Sequence, residues 1–349
     1  LKKDFPKVIV LPGDYRSYAK YSSMMFDIVR RYADDVEEYS IDECFAELTG
    51  LDAPLKMSYR EIAERIKREV NNELDLSVSV GLAPTKVLAK VASKWKKPNG
   101  FTIIERNNIL DFLDKTSIEK IWGIGRETTW FLQRKGIRTA KDFVNRDINW
   151  IRENLSKPYE VIWHELNGIS LMDVDPNPKT VYSSIQKTRS FHPFTKDKTF
   201  LLSQLSKHTE EACAKARHYS LVPKDIYFFL KTKDFRYTGK AIPLSTRTNT
   251  PEILISLINK YFNEVYRSDV MYRTTGISLN GLTPNTSSQA DLFGGTDRAN
   301  KFEIIHSQID KLEDKYGRRI AYLASTHNAM THEEKGTDMD DLDRDLLFL

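Results

Sequence analysis

Residues 37 to 48, EEYSIDECFAEL, set Asp42 and Glu43 side by side among apolar and aromatic neighbours: Tyr39 and Ile41 before them, Phe45, Ala46 and Leu48 after. An unpaired carboxylate is costly to bury, and two adjacent ones resist joint ionisation, so something must compensate them. A hard divalent cation is the natural partner, because Mg2+ prefers oxygen ligands and keeps water and substrate phosphates in its shell. Two such ions can activate an attacking hydroxyl and stabilise the leaving oxygen of an in-line phosphoryl transfer. An isolated Asp-Glu pair is usually two solvated acids at a strand end; the apolar context here argues against that.

Two further stretches could meet a phosphate. GLAPTKVLAKVASKWKKPNG, residues 81 to 100, carries Lys86, Lys90, Lys94, Lys96 and Lys97 around a helix. Lys90 and Lys97 are expected to face an anionic ligand near the acids, with the other lysines solvated. Lys97, beside a Pro-Asn-Gly turn, is placed as a point-charge phosphate binder. WGIGRETTWFLQRKGI, residues 122 to 137, has Gly123 and Gly125 flanking Ile124, and Arg126 opens a helix directly after them. Backbone amides at such a helix start can grip nucleic-acid phosphate without reading bases, although an ordinary helix joint also uses glycines. Gly136 and Thr139, a plausible cap, suggest a second turn of the same helix-hairpin-helix kind.

These residues need elements to hold them. Apolar positions recur at helical spacing in residues 15 to 34, after an opening strand. A strand at CFAEL, a helix at YREIAERIKREVNNE, a strand at LSVSVGL, a helix at TKVLAKVASKW and a strand at FTIIE follow, which predicts an α+β sheet domain to about residue 104. Residues 105 to about 172 read as wholly helical. From 181 onward the order β-α-β-β-α-β is that of a small split βαβ domain. TPNTSSQADLFGGTD reads as a linker, followed by a helix near 299 to 317 and an acidic tail.

The chain has 349 residues, 40% hydrophobic and 29% charged, which suits several soluble globular domains rather than one core. No apolar run is long enough for a membrane span, and no secretory signal is legible at the start. Cys44 and Cys213 are the only cysteines, favouring a reducing, cytoplasmic setting over a thiolate metal site. The seven histidines form no ligand-spaced pair. Residues 181 to 285 hold 16 Lys and Arg against 8 Asp and Glu, a net +8, while 331 to 349 hold 2 against 7, a net −5. The basic middle segment suggests a polyanion partner and a salt-dependent one.

YSIDECFAELTG, SVGLAPTKVLAKVASKWKKPNG and IWGIGRETTWFLQRKGI together, in this order and spacing, resemble the Y-family translesion DNA polymerases of the DinB/UmuC group. The resemblance covers nearly the whole chain. It implies a right-hand α+β architecture: a remnant of the fingers at 1–14, palm 15–104, helical thumb with helix-hairpin-helix 105–175, βαββαβ little finger 181–283, then a 284–349 linker, helix and acidic tail. It implies template-directed nucleotidyl transfer past damaged bases with two magnesium ions, on primer-template DNA and deoxynucleoside triphosphates, by a monomer with no membrane role. Carried over by position, Asp42 would bridge the metals and Glu43 would ligate the catalytic one. Lys97, with Lys90, would hold the triphosphate, and Ser40 would shape the turn. Gly123, Ile124, Gly125 and Arg126 would grip the primer-side backbone, and Lys187, Thr188 and Arg189 would begin the little finger's hold on the template.

The family also starts with a strand bearing a third metal-binding Asp, followed by aromatic residues that exclude ribonucleotides. Nothing in this chain matches them. The expectation is that the chain as given binds metal poorly and turns over little or not at all. QADLF, with Gln289, Leu292 and Phe293, resembles the short peptide that docks on the bacterial sliding clamp, the β subunit of DNA polymerase III; two apolar anchors and a rim-bonding amide suit such a pocket. A different class of reading is a non-catalytic DNA- and clamp-binding protein derived from such a polymerase.

Overall fold

The computed structural model describes residues 5–9, 13–177, 182–285, 295–316 and 319–335. The chain divides into two compact units, with bodies Asp14–Pro178 and Lys179–Leu342.

The first unit begins with helix α1 (Tyr15–Arg30), whose N-cap Asp14 accepts a hydrogen bond from the Ser17 amide. No strand is found among the described residues ahead of it. Pro6 sits there in a turn closed by Val8 N–H on the Phe5 carbonyl at 3.1 Å. Strands β1 (Val36–Ser40) and β2 (Glu43–Ala46) form an antiparallel hairpin with Ser40 opposite Glu43. A short helix α2 (Asp52–Leu55) leads to α3 (Tyr59–Leu74), which starts with a full Ser58–Glu61 capping box. Its Ile62, Ile66, Val70 and Leu74 are buried in two clusters with Met25, Phe26, Val29 and Val36.

Strand β3 (Val80–Leu82), helix α4 (Lys86–Trp95) and strand β4 (Phe101–Ile103) make a parallel βαβ crossover. The expected strand at LSVSVGL is only three residues long because its partner β4 offers three. A Cβ on Gly81 would lie 2.2 Å from the Ala89 carbonyl, so glycine is what lets β3 lie this close to α4. The predicted sheet is two separate two-stranded pieces, β1–β2 and β3–β4.

Residues 105 to 172 are helical, as expected: α5 (Ile109–Asp114), a 3₁₀ turn at Ile118–Lys120, α6 (Arg126–Arg134), α7 (Ala140–Val144), α8 (Ile148–Asn154) and α9 (Lys157–Leu166). Thr139 is the cap the sequence suggests, accepting from the Asp142 amide at 3.0 Å while Asp142 accepts from the Thr139 amide. One hydrophobic cluster runs from Val87, Leu88 and Val91 of α4 through Leu132, Phe143 and Ile162 to Leu166, so α4 and these helices share a core.

The second unit is a four-stranded antiparallel sheet with two helices. In chain order come β5 (Ser184–Thr195), α10 (Lys198–His218), β6 (Leu221–Val222), β7 (Asp225–Thr232), β8 (Tyr237–Pro243), α11 (Pro251–Val265), β9 (Tyr272–Asn280) and β10 (Thr283–Pro284). The sheet order is β5-β9-β7-β8, with β9 inserted between the β5 and β7 of the β5-α10-β7 unit, the split βαβ arrangement. Ile226, Phe228 and Leu230 of β7 alternate inward onto Leu201, Leu205, Leu254 and Ile258 of the helices.

The helix expected near 299 to 317 is present in the C-terminal segment, and two further elements follow it. Helix α12 (Gly295–Tyr316) is followed by a 3₁₀ turn at Ala324–Thr326 and α13 (His327–Lys335), which pack on α10. Arg217 forks onto Asp310 at 2.6 and 2.8 Å. Glu210 accepts from the Leu323 amide at 3.2 Å, and Ser203 Oγ accepts from the Ala329 amide at 2.8 Å. Polar side chains on both partners satisfy one another here, so no apolar pattern advertises the contact.

Candidate active site and nucleic-acid interface

The β1–β2 hairpin turns at Ile41 and Asp42, leaving Asp42 exposed with its Oδ1 accepting from Ser40 Oγ at 2.7 Å. Ser40 thus shapes the turn. Glu43 begins β2 and forms an ion pair with Lys90, whose side chain is 8% exposed. The pair answers half of the compensation problem: Glu43 is neutralised by protein, while Asp42 keeps open oxygen toward solvent. Cys44 lies between them and the core, and burial pushes its thiol up to about 12, out of range for nucleophilic work.

Lys90 Nζ also sits 5.0 Å from the Tyr39 ring centroid and 5.6 Å from that of Phe45. Lys86, expected to be solvated, is not: its side chain is 10% exposed, 2.5 Å from Glu37 Oε2, and its Nζ donates to the Asp173 carbonyl at 3.0 Å. Trp122 completes the aromatic group, 5.2 Å from Tyr39 and 5.5 Å from Phe45 between centroids, with Nε1 donating to Tyr39 Oη at 2.9 Å. Two lysines and three aromatic rings therefore fix the strands that carry the acids.

Lys86, Lys90, Lys94 and Lys97 fall four, four and three residues apart, which is one face of a helix and its exit turn. Burial and then the neighbouring Lys90 charge pull the Lys94 ammonium below its ordinary pKa; Glu43 opposes this and Lys97 adds to it. Lys94 is thereby placed electrostatically in one group with Lys90, Lys97 and Glu43. The sequence reading left it out, although the spacing was available to find it. Lys97 itself is exposed in the Lys-Lys-Pro-Asn-Gly turn.

Gly123 has φ +87, and a Cβ there would lie 2.7 Å from Ile162 Cδ1. Ile124 is buried, Gly125 is the N-cap of α6 with open space around it, and the Arg126 side chain is 95% exposed. A helix start with bare amides and an exposed guanidinium can receive a phosphate. Lys187, Thr188 and Arg189 lie on edge strand β5; Lys187 and Arg189 share the side of Ile185, and Thr188 Oγ1 donates to the Thr275 carbonyl at 2.9 Å. Gln289, Leu292 and Phe293 lie outside the described residues.

Sequence reasoning missed Glu165. It is fully buried in α9, accepting from the amides of Val87, Leu171 and Met172 at 3.2, 2.7 and 2.9 Å, so it anchors the first turn of the lysine helix. Its setting in VIWHELNG gives no polar pattern that could have revealed it.

A carboxylate turn, a lysine-bearing helix and a glycine-capped helix thus lie in one unit. Comparison with known proteins gives the family. The impB/mucB/samB family model matches residues 1–94, and the model of that family's C-terminal domain matches 182–292. The chain is 28% identical to DNA polymerase IV 1 of Bacillus subtilis over 96% of this chain and 81% of that one. It is 26% identical to DNA polymerase IV of Clostridium acetobutylicum over 91% and 79% respectively. The fold matches a Y-family DNA polymerase chimera of Dbh and Dpo4 with TM-score 0.64 at 22% identity, covering 81% of each chain, so the architecture is that of palm, thumb and little finger. The chain belongs to the impB/mucB/samB family, the DinB-like Y-family DNA polymerases. Among the described residues, no helix is long and apolar enough to cross a membrane.

Proposed function

We propose that this chain carries out translesion DNA synthesis, adding deoxynucleotides to a primer 3′ end, with palm 15–104, thumb 105–175 and little finger 181–283. The observation that carries the reading is the stripe Lys86–Lys90–Lys94–Lys97 beside Asp42 and Glu43. Triphosphate needs cations of this kind, and the reaction needs carboxylates next to them. The donors fit a divalent ion, since both acids offer hard oxygen and Asp42 is open to solvent. Asp42 and Glu43 would hold it, and a bound ion would supply Lewis-acid stabilisation of the attacking and leaving oxygens. Lys97 and Lys94 bind the incoming phosphates, and Lys90 exchanges Glu43 for phosphate as the site fills. Gly125 and Arg126 hold the duplex backbone, and Lys187, Thr188 and Arg189 support the template side.

Among the described residues, no group of three His, Cys, Asp or Glu could hold a metal ion. Gln289, Leu292 and Phe293 are proposed, on sequence alone, to dock on a sliding clamp. Primer extension on undamaged and abasic templates, titrated with Mg2+, tests the reading. Synthesis that survives Asp42→Ala would overturn the assignment of the acids, and DNA binding with no synthesis at any Mg2+ level would favour the non-catalytic, clamp-bound alternative.

A further inference from the structure

We propose that the β7–β8 hairpin end of the second unit is a stacking site for unpaired bases of single-stranded DNA. The turn, KTKDFRY at 231–237, exposes two large rings: Phe235 is 62% and Tyr237 58% accessible. Neither ring is spent on a core. Phe235 also has φ 66, a backbone region that bulky side chains rarely adopt and that glycine would occupy freely. The turn is tied down around it by Phe235 N–H on the Thr232 carbonyl at 3.0 Å and Thr232 N–H on the Arg236 carbonyl at 2.8 Å. An exposed aromatic held at a strained tip points to use of the ring rather than to folding.

Cations surround the rings. The Arg273 guanidinium is 4.1 Å from the Phe235 centroid and 5.5 Å from that of Phe194. Lys231 Nζ is 4.6 Å from Tyr237 and 5.1 Å from Phe235. Lys233 and Arg236 stand in the same turn, against the single acid Asp234. Tyr237 is backed by the buried Phe229 ring at 5.4 Å, which in turn stacks 6.0 Å from Tyr227, so the exposed rings stand on an aromatic base. Rings for base faces and interleaved cations for phosphates are what binds single strands without reading sequence. A duplex hides its base faces, so the ligand is unpaired DNA. Because the choice of DNA as the nucleic acid rests on the polymerase reading, the test separates the two.

The 349-residue chain is titrated against a fluorescein-labelled oligothymidylate and against a blunt duplex of equal length. In the double variant Phe235→Gly with Tyr237→Thr, the glycine suits the turn and the threonine suits the strand, so the fold is retained; a thermal melt confirms it. Single-strand affinity should fall roughly fivefold or more with duplex affinity unchanged, and Phe235→Trp should retain it. Unchanged single-strand affinity, or an equal loss on both ligands, overturns the stacking site while leaving the polymerase reading intact. Failure of the wild-type chain to bind either ligand overturns both.

Discussion

Trp122 Nε1 donates a 2.9 Å hydrogen bond to the Tyr39 hydroxyl, joining the segment that enters the glycine hairpin to the strand that carries the acid turn. The Trp122 ring also packs edge-on against Tyr39 and tilted against Phe45. Loss of the ring therefore loosens both pieces at once. Trp122→Ala should destabilise the chain by about 2–3 kcal/mol, the low end for an aromatic truncation because the ring is only half-buried. Tyr39→Phe keeps the packing and should cost about 1 kcal/mol. Chemical denaturation checks both values; equal losses would mean the hydrogen bond, not the aromatic packing, does the joining.

The Glu43–Lys90 pair predicts a split effect. Lys90→Met keeps the apolar stem in place and removes the charge. The KM for deoxynucleotide should rise about tenfold, the worth of one charge-assisted hydrogen bond. The Mg2+ concentration for half-maximal activity should fall, because Glu43 no longer has a protein cation to exchange. Steady-state kinetics over a Mg2+ series decides; a lower melting temperature with both parameters unchanged would make Lys90 a purely structural lysine.

Glu165 predicts a stability effect far from any ligand. Its carboxylate accepts three backbone N–H groups, and no water reaches it. Glu165→Gln would turn an NH2 toward one of those donors, leaving an amide unsatisfied at a cost of about 2 kcal/mol. A melting temperature within error of wild type would show that the buried site relaxes around the amide.

These residues also show what the sequence could and could not disclose. Helices α3 and α4 were legible because Ile62, Ile66 and Val70, and then Val87, Leu88 and Val91, recur at helical spacing behind side-chain caps at Ser58 and Thr85. Strand β1 was not, because VEEYS reads as a charged run; Glu37 and Glu38 are answered by Lys86 and Arg30, partners no local pattern names. The acids Asp42 and Glu43 stood out by their apolar flanks. Lys90 was placed near them as a phosphate ligand, but its ion pair with Glu43 was not legible, since no local pattern pairs residues so far apart. The packing of residues 319–331 on α10 stayed hidden for the reason that buries Glu165: polar groups meeting polar groups leave no hydrophobic trace.

Acid should expose the cap at Thr139. Backbone N–H groups of Thr139 and Arg138 hold the Asp142 carboxyl below the usual carboxylate range. A carboxyl whose folded pKa is depressed adds stability above its unfolded value, near 4 or about 3.9 for Asp, and that stability is lost as pH falls through the folded pKa. Asp142→Asn should therefore be about 1 kcal/mol less stable than wild type at neutral pH, and the gap should close below the unfolded value. Melts across the acid range test this; a gap independent of pH would assign the cap to geometry rather than charge.

Gly123 and Gly125 let folding and the proposed DNA contact be tested separately within three residues. Gly123 has φ +87, with Ile162 Cδ1 2.7 Å from where a Cβ would stand. Gly123→Ala should cost more than about 1 kcal/mol in stability. Gly125 has φ −82 and nothing within 4 Å of an added Cβ. Gly125→Ala should leave stability within about 1 kcal/mol of wild type, yet its methyl group would stand where phosphate must approach the α6 amides. Affinity for primer-template should drop several-fold in Gly125→Ala, a loss that its small stability change does not explain. The remaining affinity should still fall steeply with salt, since the side-chain cations persist. Equal DNA affinity in Gly125→Ala and wild type would remove the hairpin from the DNA interface and leave it a helix joint.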